Sequence, residues 1–172
     1  MKLKNITIAV FVLIAALATF GIINIGSIAG HASEGKGARA IEGSWEVRLT
    51  TQAGNDLIEF DELMTFTAGG GIVESNNYPF NLSQPFPLVA GPGHGSWRFA
   101  GARQFPFTFV KLLYTPAGDA AGTLRVTGII SYFPENDTWS GPGNVEICPI
   151  GAPQCFPSGV TNAVATRIVA GE

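Results

Sequence analysis

Short segments in which apolar and polar residues alternate, separated by turn-forming residues, constrain the fold of this chain most. Segment 43–51, GSWEVRLTT, places Trp45, Val47 and Leu49 on one face of an extended strand and polar residues on the other. Seven further strand-like segments follow, with Gly, Pro, Asn and Asp between them: 60–67, 71–76, 95–100, 104–114, 122–133, 137–148 and 162–170. No convincing helical periodicity occurs beyond residue 40, so the sequence predicts an all-β domain.

Eight strands joined in order by short turns favour a closed sheet. An open row of antiparallel strands leaves two exposed edges, and eight strands close around side chains or one small ligand. We therefore expect a single eight-stranded antiparallel up-and-down β-barrel over residues 43–172, with a two-sheet sandwich as second choice. A Pro- and Phe-rich connection, residues 78–93, is predicted to be a loop, with 78–88 as a lid over one end of the barrel.

The N-terminal region is typical of an export signal. Residues 6–28 contain no charged side chain, and Lys2 and Lys4 precede them. This order of basic and apolar residues is found in segments that enter the membrane translocon, and its length fits a cleaved signal peptide or an uncleaved helical anchor. The sequence predicts residues 1–32 as that apolar helical segment and 33–42 as a linker. The domain is then periplasmic or extracellular, with membrane contact only through an uncleaved N-terminal segment.

The two cysteines, Cys148 and Cys155, flank the short sequence PIGAPQ. In an exported chain, two cysteines this close predict a disulfide that closes a loop. Two thiolates with no histidine beside them make a poor zinc site, and the spacing is not that of a C-x-x-C redox motif. We predict no metal and no cofactor.

Charge excludes one class of partner. From Ile41 onward the chain has twelve acidic residues and six basic ones, a net charge of −6. An acidic surface with no basic cluster repels phosphate backbones, so nucleic acid is not expected as a partner. One acidic run, DLIEFDEL, contains Asp56, Glu59, Asp61 and Glu62, and we predict that these carboxylates are solvated. The alternative is that one of them is buried with a raised pKa and takes part in acid–base chemistry.

Gly43 and Trp45 in GSW, together with Arg167 in ATRIV, resemble the lipocalin or calycin pattern. The resemblance implies that Trp45 packs at the closed end of a barrel and that Arg167 lies across its ring. It also implies a small hydrophobic ligand, since calycin barrels usually bind such molecules and a few isomerise or cyclise them. The segments FTAGGG (66–71) and GPGHGSW (91–97) are similar to those of poorly characterised secreted bacterial proteins.

Aromatic and basic residues supply the candidate binding site. A set of aromatic side chains is predicted either to line a cavity or to fill the core: Phe99, Phe105, Phe107, Phe109, Tyr114 and Trp139. His94 and Arg98 are expected near the rim. His94 is the one candidate catalytic residue, as a general base or a haem ligand, or it has a structural role in a turn. The glycines at 91, 93 and 95 are predicted to adopt special backbone angles.

Three functions remain open at this level. The first is a barrel that binds a small, mostly apolar molecule, which requires an interior cavity of about 300 Å3. The second is an isomerase or cyclase without metal, acting on a polyene or polyketide-like substrate that the barrel holds in a reactive conformation. The third is an envelope domain that binds another protein through its loops. The sequence contains no established catalytic motif, and it does not fix the oligomeric state.

Overall fold

The computed structural model describes residue 37 and residues 39–53, 56–77 and 88–171. The predicted N-terminal helix, residues 1–32, and nearly all of the predicted lid, residues 78–87, lie outside these ranges. Leu88, the last residue of that predicted lid, is half-buried against the core. No helix in the described part of the chain is long and apolar enough to cross a membrane.

Eight antiparallel strands close into a barrel, and this confirms the predicted fold class. Each strand pairs with the next one along the chain, and the last pairs with the first, so the two edges of the sheet are joined. The strands are β1 (Gly43–Ala53), β2 (Asp56–Phe66), β3 (Gly71–Asn76), β4 (Val89–Trp97), β5 (Gln104–Tyr114), β6 (Ala120–Phe133), β7 (Thr138–Pro149) and β8 (Phe156–Arg167). The sandwich alternative is wrong because a two-sheet arrangement would leave β1 and β8 unpaired.

Aromatic rings fill part of the interior. Trp45 and Trp139 meet edge to face with their ring centroids 6.2 Å apart, and Phe66 lies edge to face with Trp139 at 6.1 Å. Trp97 continues the cluster by contacting both Phe66 and Phe105, at 6.1 and 5.8 Å. All five side chains are buried. Successive side chains of a strand alternate between its two faces, and these five rings, from β1, β2, β4, β5 and β7, all lie on the interior face.

Arg167 covers Trp45 at one end of the barrel. The guanidinium carbon lies 4.1 Å from the centroid of the Trp45 ring, which is the cation–π contact expected from the resemblance. The indole N–H of Trp45 donates a hydrogen bond to the carbonyl oxygen of Ile41 at 2.9 Å. The buried tryptophan is therefore satisfied on its polar edge and covered on its face.

The same guanidinium ties the segment before β1 to the barrel. Its Nη1 and Nη2 atoms donate to the carbonyl oxygens of Glu42 and Ala40, at 2.6 and 2.7 Å. Its Nε donates to Asp137 at 2.6 Å, and this hydrogen bond holds the pKa of that carboxyl below its usual value. Residues 40–42, the end of the predicted linker, are thus fixed at this closed end.

The predicted disulfide is present. Cys148 and Cys155 are bonded, and they join the end of β7 to the residue that precedes β8. The bridge closes the connection between two neighbouring strands, and it lies in a part of the chain that lines no described cavity.

Strands β4 and β8 each begin six residues earlier and end three residues earlier than predicted, and the difference in β4 concerns a predicted loop. The expected range of β4 was 95–100, yet it spans Val89–Trp97, so the end of the predicted 78–93 loop is a strand. The expectation of special backbone angles is wrong for Gly91, Gly93 and Gly95, because none of them has a positive φ. A side chain at Gly95 would instead collide with the backbone oxygen of Thr108. Lack of room for a Cβ, rather than a turn, accounts for this glycine.

We expect Gly95→Ala to lower the free energy of unfolding by about 1–3 kcal/mol, because an added Cβ overpacks a site that backbone atoms of β5 already occupy. Gly69→Ala is the matched control, since a Cβ at Gly69 meets nothing within 4 Å, and a change within about 0.5 kcal/mol is expected. Urea unfolding followed by tryptophan fluorescence measures both. Equal stability of the two variants would contradict the packing explanation.

Candidate functional site

The barrel interior contains a cavity of about 120 Å3. This is smaller than the roughly 300–1,000 Å3 of pockets for drug-sized ligands, but close to the engineered cavities of about 150 Å3 that bind benzene. A volume of about 120 Å3 has room for a molecule about the size of one six-membered ring. The wall of the cavity is mainly apolar, and it includes Leu49, Ile58, Phe60, Met64, Leu124 and Val126.

Three of the predicted lining residues contact the cavity. Phe107 and Phe109 line it from β5, and Trp139 lines it from β7. The two phenylalanine rings are stacked, with their centroids 6.0 Å apart and their planes 16° from parallel. The indole N–H of Trp139 is buried and has no hydrogen-bond partner in the described part of the chain.

The other aromatic candidates are placed elsewhere. Phe105 is fully buried and packs against Trp97 and Phe99, with ring centroids 5.8 and 5.4 Å away. Phe99 is half-buried beyond the end of β4, and Tyr114 is half-buried at the end of β5 beside Gly91. None of these three side chains lines the cavity.

His94 and Arg98 are exposed and do not line the cavity. In the sheet, His94 lies between Val73 of β3 and Val110 of β5, in the middle of a strand rather than in a turn. Because successive side chains of a strand alternate between faces, its neighbours Gly93 and Gly95 face inward while His94 faces outward. The structure therefore places His94 on the outer face of the barrel.

Three ionisable side chains form a buried charge cluster: Glu62 on β2, Glu74 on β3 and Lys111 on β5. The Nζ atom of Lys111 lies 2.7 Å from Oε1 of Glu74, and the two side chains are only 2% and 0% exposed. Glu62 is 5% exposed. Glu62 and Lys111 both line the cavity, so its mainly apolar wall includes two ionisable residues.

Gly93 makes the ion pair between Glu74 and Lys111 possible. In the sheet, Glu74 pairs with Gly93 and Gly93 pairs with Lys111, so the glycine stands between the two charged residues. A Cβ at Gly93 would lie 2.5 Å from Oε2 of Glu74 and 2.9 Å from the ring of Phe109. The missing side chain on β4 leaves the space in which the ammonium and carboxylate meet.

Glu62 holds its proton more strongly than an exposed glutamate. Burial is the largest cause that raises its pKa well above the usual 4.5, and the negative charge of Glu74 adds to this, while Lys111 acts in the opposite direction. A hydrogen bond with Glu74 also raises the pKa of Glu62. Oε2 of Glu74 receives no hydrogen bond from an N–H or hydroxyl group among the described residues, and a protonated Glu62 supplies that donor.

With Glu62 protonated, the buried charge cluster is neutral, because it consists of one ammonium, one carboxylate and one carboxylic acid. Ionisation of Glu62 gives it a net charge of −1 in a buried setting, which is unfavourable without a further cation. The cluster therefore resists a second buried negative charge.

The prediction of solvated carboxylates is right for two residues of the acidic run and wrong for one. Asp61 and Glu59 form exposed ion pairs with Arg48, at 2.7 and 3.9 Å. Glu62 is buried because it shares the inward face of β2 with Phe60 and other apolar residues. The side chain of Asp56 lies outside the described residues.

The buried charge cluster is indicated in the sequence by the positions of its residues in the alternating pattern, and not by a motif. Glu62 is in phase with Met64, and Glu74 is in phase with Ile72. Lys111 continues the inward series of phenylalanines on β5. A charged residue in the apolar phase of a strand indicates a buried charge, and three such residues on nearby strands indicate that they compensate one another.

The described residues contain no group of three or more His, Cys, Asp or Glu side chains that could hold a metal ion. No protein-family model matches the chain, and no curated protein matches it with significant similarity. The closed barrel, its cavity and the buried charge cluster are the features that bear on function.

Proposed function

We propose that the protein is an exported, lipocalin-like barrel that binds a small, mostly apolar molecule in its interior. The observation that carries this proposal is the cavity of about 120 Å3, with a mainly apolar wall and two buried ionisable side chains facing it. Ligand sites combine these features, since apolar surface supplies affinity and a few polar groups fix orientation. This volume does not meet the requirement of about 300 Å3 stated from the sequence, so the proposal is restricted to a ligand of about one ring.

Export is part of the proposal and has two supports. The apolar residues 6–28 after Lys2 and Lys4 are typical of a signal segment. The disulfide between Cys148 and Cys155 is compatible with an oxidising compartment.

The alternatives have weaker support. A polyene or polyketide-like substrate is larger than a cavity of about 120 Å3 accommodates, so the cyclase hypothesis is not favoured. The proposed protein-binding loop lies almost entirely outside the described residues.

Toluene is a suitable probe of the cavity, because its ring and methyl group match the available volume. We expect toluene to shift the methyl NMR signals of Leu124 and Val126, which line the cavity, in a saturable manner. Ala163→Leu should weaken this binding at least tenfold, since Ala163 lines the cavity and the larger side chain occupies it.

Val164→Leu is the matched control for this experiment. Val164 is the next residue on β8 and is 59% exposed, so the same new side chain points away from the cavity. Toluene should bind this variant as it binds the wild type. The proposal is wrong if toluene does not bind the wild-type protein, or if Ala163→Leu binds it unchanged.

A further inference from the structure

We infer that the ligand of the cavity is a small primary amine in its protonated form, carried on a ring-sized apolar body, with the carboxylate of Glu62 as its counter-ion. This inference rests on the proposed function, because it specifies the chemistry of the molecule that the interior binds.

The balance of buried charge is the first argument. Among the described residues, the buried charged side chains are Glu62, Glu74 and Lys111, which are two carboxyls and one ammonium. Lys111 compensates Glu74 at 2.7 Å. The residues paired with Glu62 in the sheet are Val47 on β1 and Asn76 on β3, and neither is charged, so Glu62 receives charge only from Glu74 and Lys111. A cationic ligand restores neutrality beside an ionised Glu62, whereas an anionic ligand would add a second uncompensated negative charge.

The position of Glu62 is the second argument. It is 5% exposed and belongs to the cavity wall, so it is shielded from bulk water and adjoins the space that a molecule inside the barrel would occupy. An ammonium group hydrogen-bonded to a carboxylate in such a place makes a charge-assisted contact, which is stronger than a neutral one.

The aromatic wall is the third argument. Phe60, Phe107, Phe109 and Trp139 line the same cavity as Glu62. The faces of aromatic rings attract cations, with Trp the strongest, and they also pack against the ring of a ligand. In an arylmethyl ammonium ion, the ammonium group would therefore contact Glu62 and the aromatic wall, and the aryl ring would pack against the same wall.

Binding of this ligand is coupled to release of a proton. Burial and the charge of Glu74 raise the pKa of Glu62, so the empty barrel keeps this proton to a higher pH than an exposed glutamate would. When the ammonium ion enters, the Glu62 carboxyl becomes a carboxylate and its proton passes to the solvent. The cluster is neutral before binding, and cluster and ligand together are neutral afterwards, so one proton leaves for each ammonium ion bound.

Three probes of the same ring size test the inference by titration calorimetry near neutral pH: benzylamine, benzyl alcohol and benzoate. We expect benzylamine to bind at least tenfold more tightly than benzyl alcohol, and benzoate to show no binding. Repeating the benzylamine titration in buffers of different ionisation enthalpy should report release of about one proton. Binding of benzyl alcohol or benzoate that equals binding of benzylamine would overturn the inference.

Glu62→Gln isolates the counter-ion. This variant should lose the preference for benzylamine over benzyl alcohol, at least tenfold. Glu59→Gln, a change of an exposed carboxyl on the same strand, should leave all three affinities unchanged. Retention of the full preference in Glu62→Gln would overturn the inference.

The pH dependence of the wild type gives a test that needs no variant. Benzylamine affinity should rise with pH, up to tenfold per unit, until Glu62 is ionised in the free protein. A flat profile would overturn the inference. If toluene also fails to bind, the proposed function fails with it; if toluene binds and benzylamine gains nothing, only the inference fails.

Discussion

Replacement of Lys111 by methionine is expected to lower the free energy of unfolding by about 3–5 kcal/mol, because it leaves a buried carboxylate without its cation. Lys111 is 2% exposed and Glu74 is 0% exposed, and their charged atoms are 2.7 Å apart. Methionine fills a similar volume, so the loss comes from charge rather than from a new cavity. Urea unfolding monitored by tryptophan fluorescence measures the change.

An exposed ion pair of the same length provides the control. Arg48 and Asp61 are also 2.7 Å apart, but their side chains are 60% and 46% exposed. Arg48→Met should cost no more than about 1 kcal/mol, since water screens that pair. A loss in Lys111→Met as small as the loss in Arg48→Met would show that the buried pair is not needed for stability.

A double variant separates the charge from the side chain. Lys111→Met combined with Glu74→Gln removes both charges, so no buried carboxylate remains at position 74 and much of the lost stability should return. If the double variant is as unstable as the sum of the two single variants, the two residues do not act as a pair.

The eight-stranded barrel could be predicted because alternation is a local property with a clear period. Trp45, Val47 and Leu49 all face the interior as expected, and the chain closes without a crossover, so sequence order is also spatial order. Strand β4 could not be delimited in this way. Its glycines have the composition of a loop, and the reason for Gly93 and Gly95 is the space that Glu74, Phe109 and the backbone of Thr108 occupy on other strands.

The candidate site was predicted less well, because a cavity depends on which side chains meet across the barrel. Phe107, Phe109 and Trp139 line it, whereas Phe105 has the same phase on β5 and lies in the aromatic cluster. The position of a residue in the alternating pattern of its strand determines whether its side chain faces inward. It does not determine the height of that side chain along the barrel axis. Height depends on strand register, which the turns and the bulge in β4 set.

His94 drew attention in the sequence because a histidine among glycines resembles an active-site segment. The residue with the more specific position is its neighbour Gly93, which lies between Glu74 and Lys111 in the sheet. The segment around His94 is thus explained by Gly93, a position with no room for a side chain, and not by the reactivity of the histidine. The ionisable groups of the buried charge cluster come from three other segments of the chain, and two of them, Glu62 and Lys111, line the cavity.

The second large effect expected is on the pH dependence of stability in Glu62→Gln. Below pH 4.5, the usual pKa of a glutamate, Glu62 is protonated in both the folded and the unfolded protein and favours neither. Above that value the unfolded chain releases the proton while the folded protein keeps it, because burial raises the pKa of Glu62. Rising pH therefore favours unfolding, by up to about 1.4 kcal/mol per pH unit, until the pH passes the folded-state pKa.

Glutamine at position 62 cannot ionise but can still donate a hydrogen bond to Glu74, so it removes this penalty and keeps the contact. We expect the variant and the wild type to be similarly stable near pH 4, and the variant to become progressively more stable than the wild type as the pH rises. Urea unfolding at a series of pH values measures the difference. Glu59→Gln, which changes an exposed carboxyl, should follow the wild-type profile. Parallel profiles for Glu62→Gln and the wild type would mean that Glu62 titrates like a solvated glutamate, which its burial beside Glu74 does not allow.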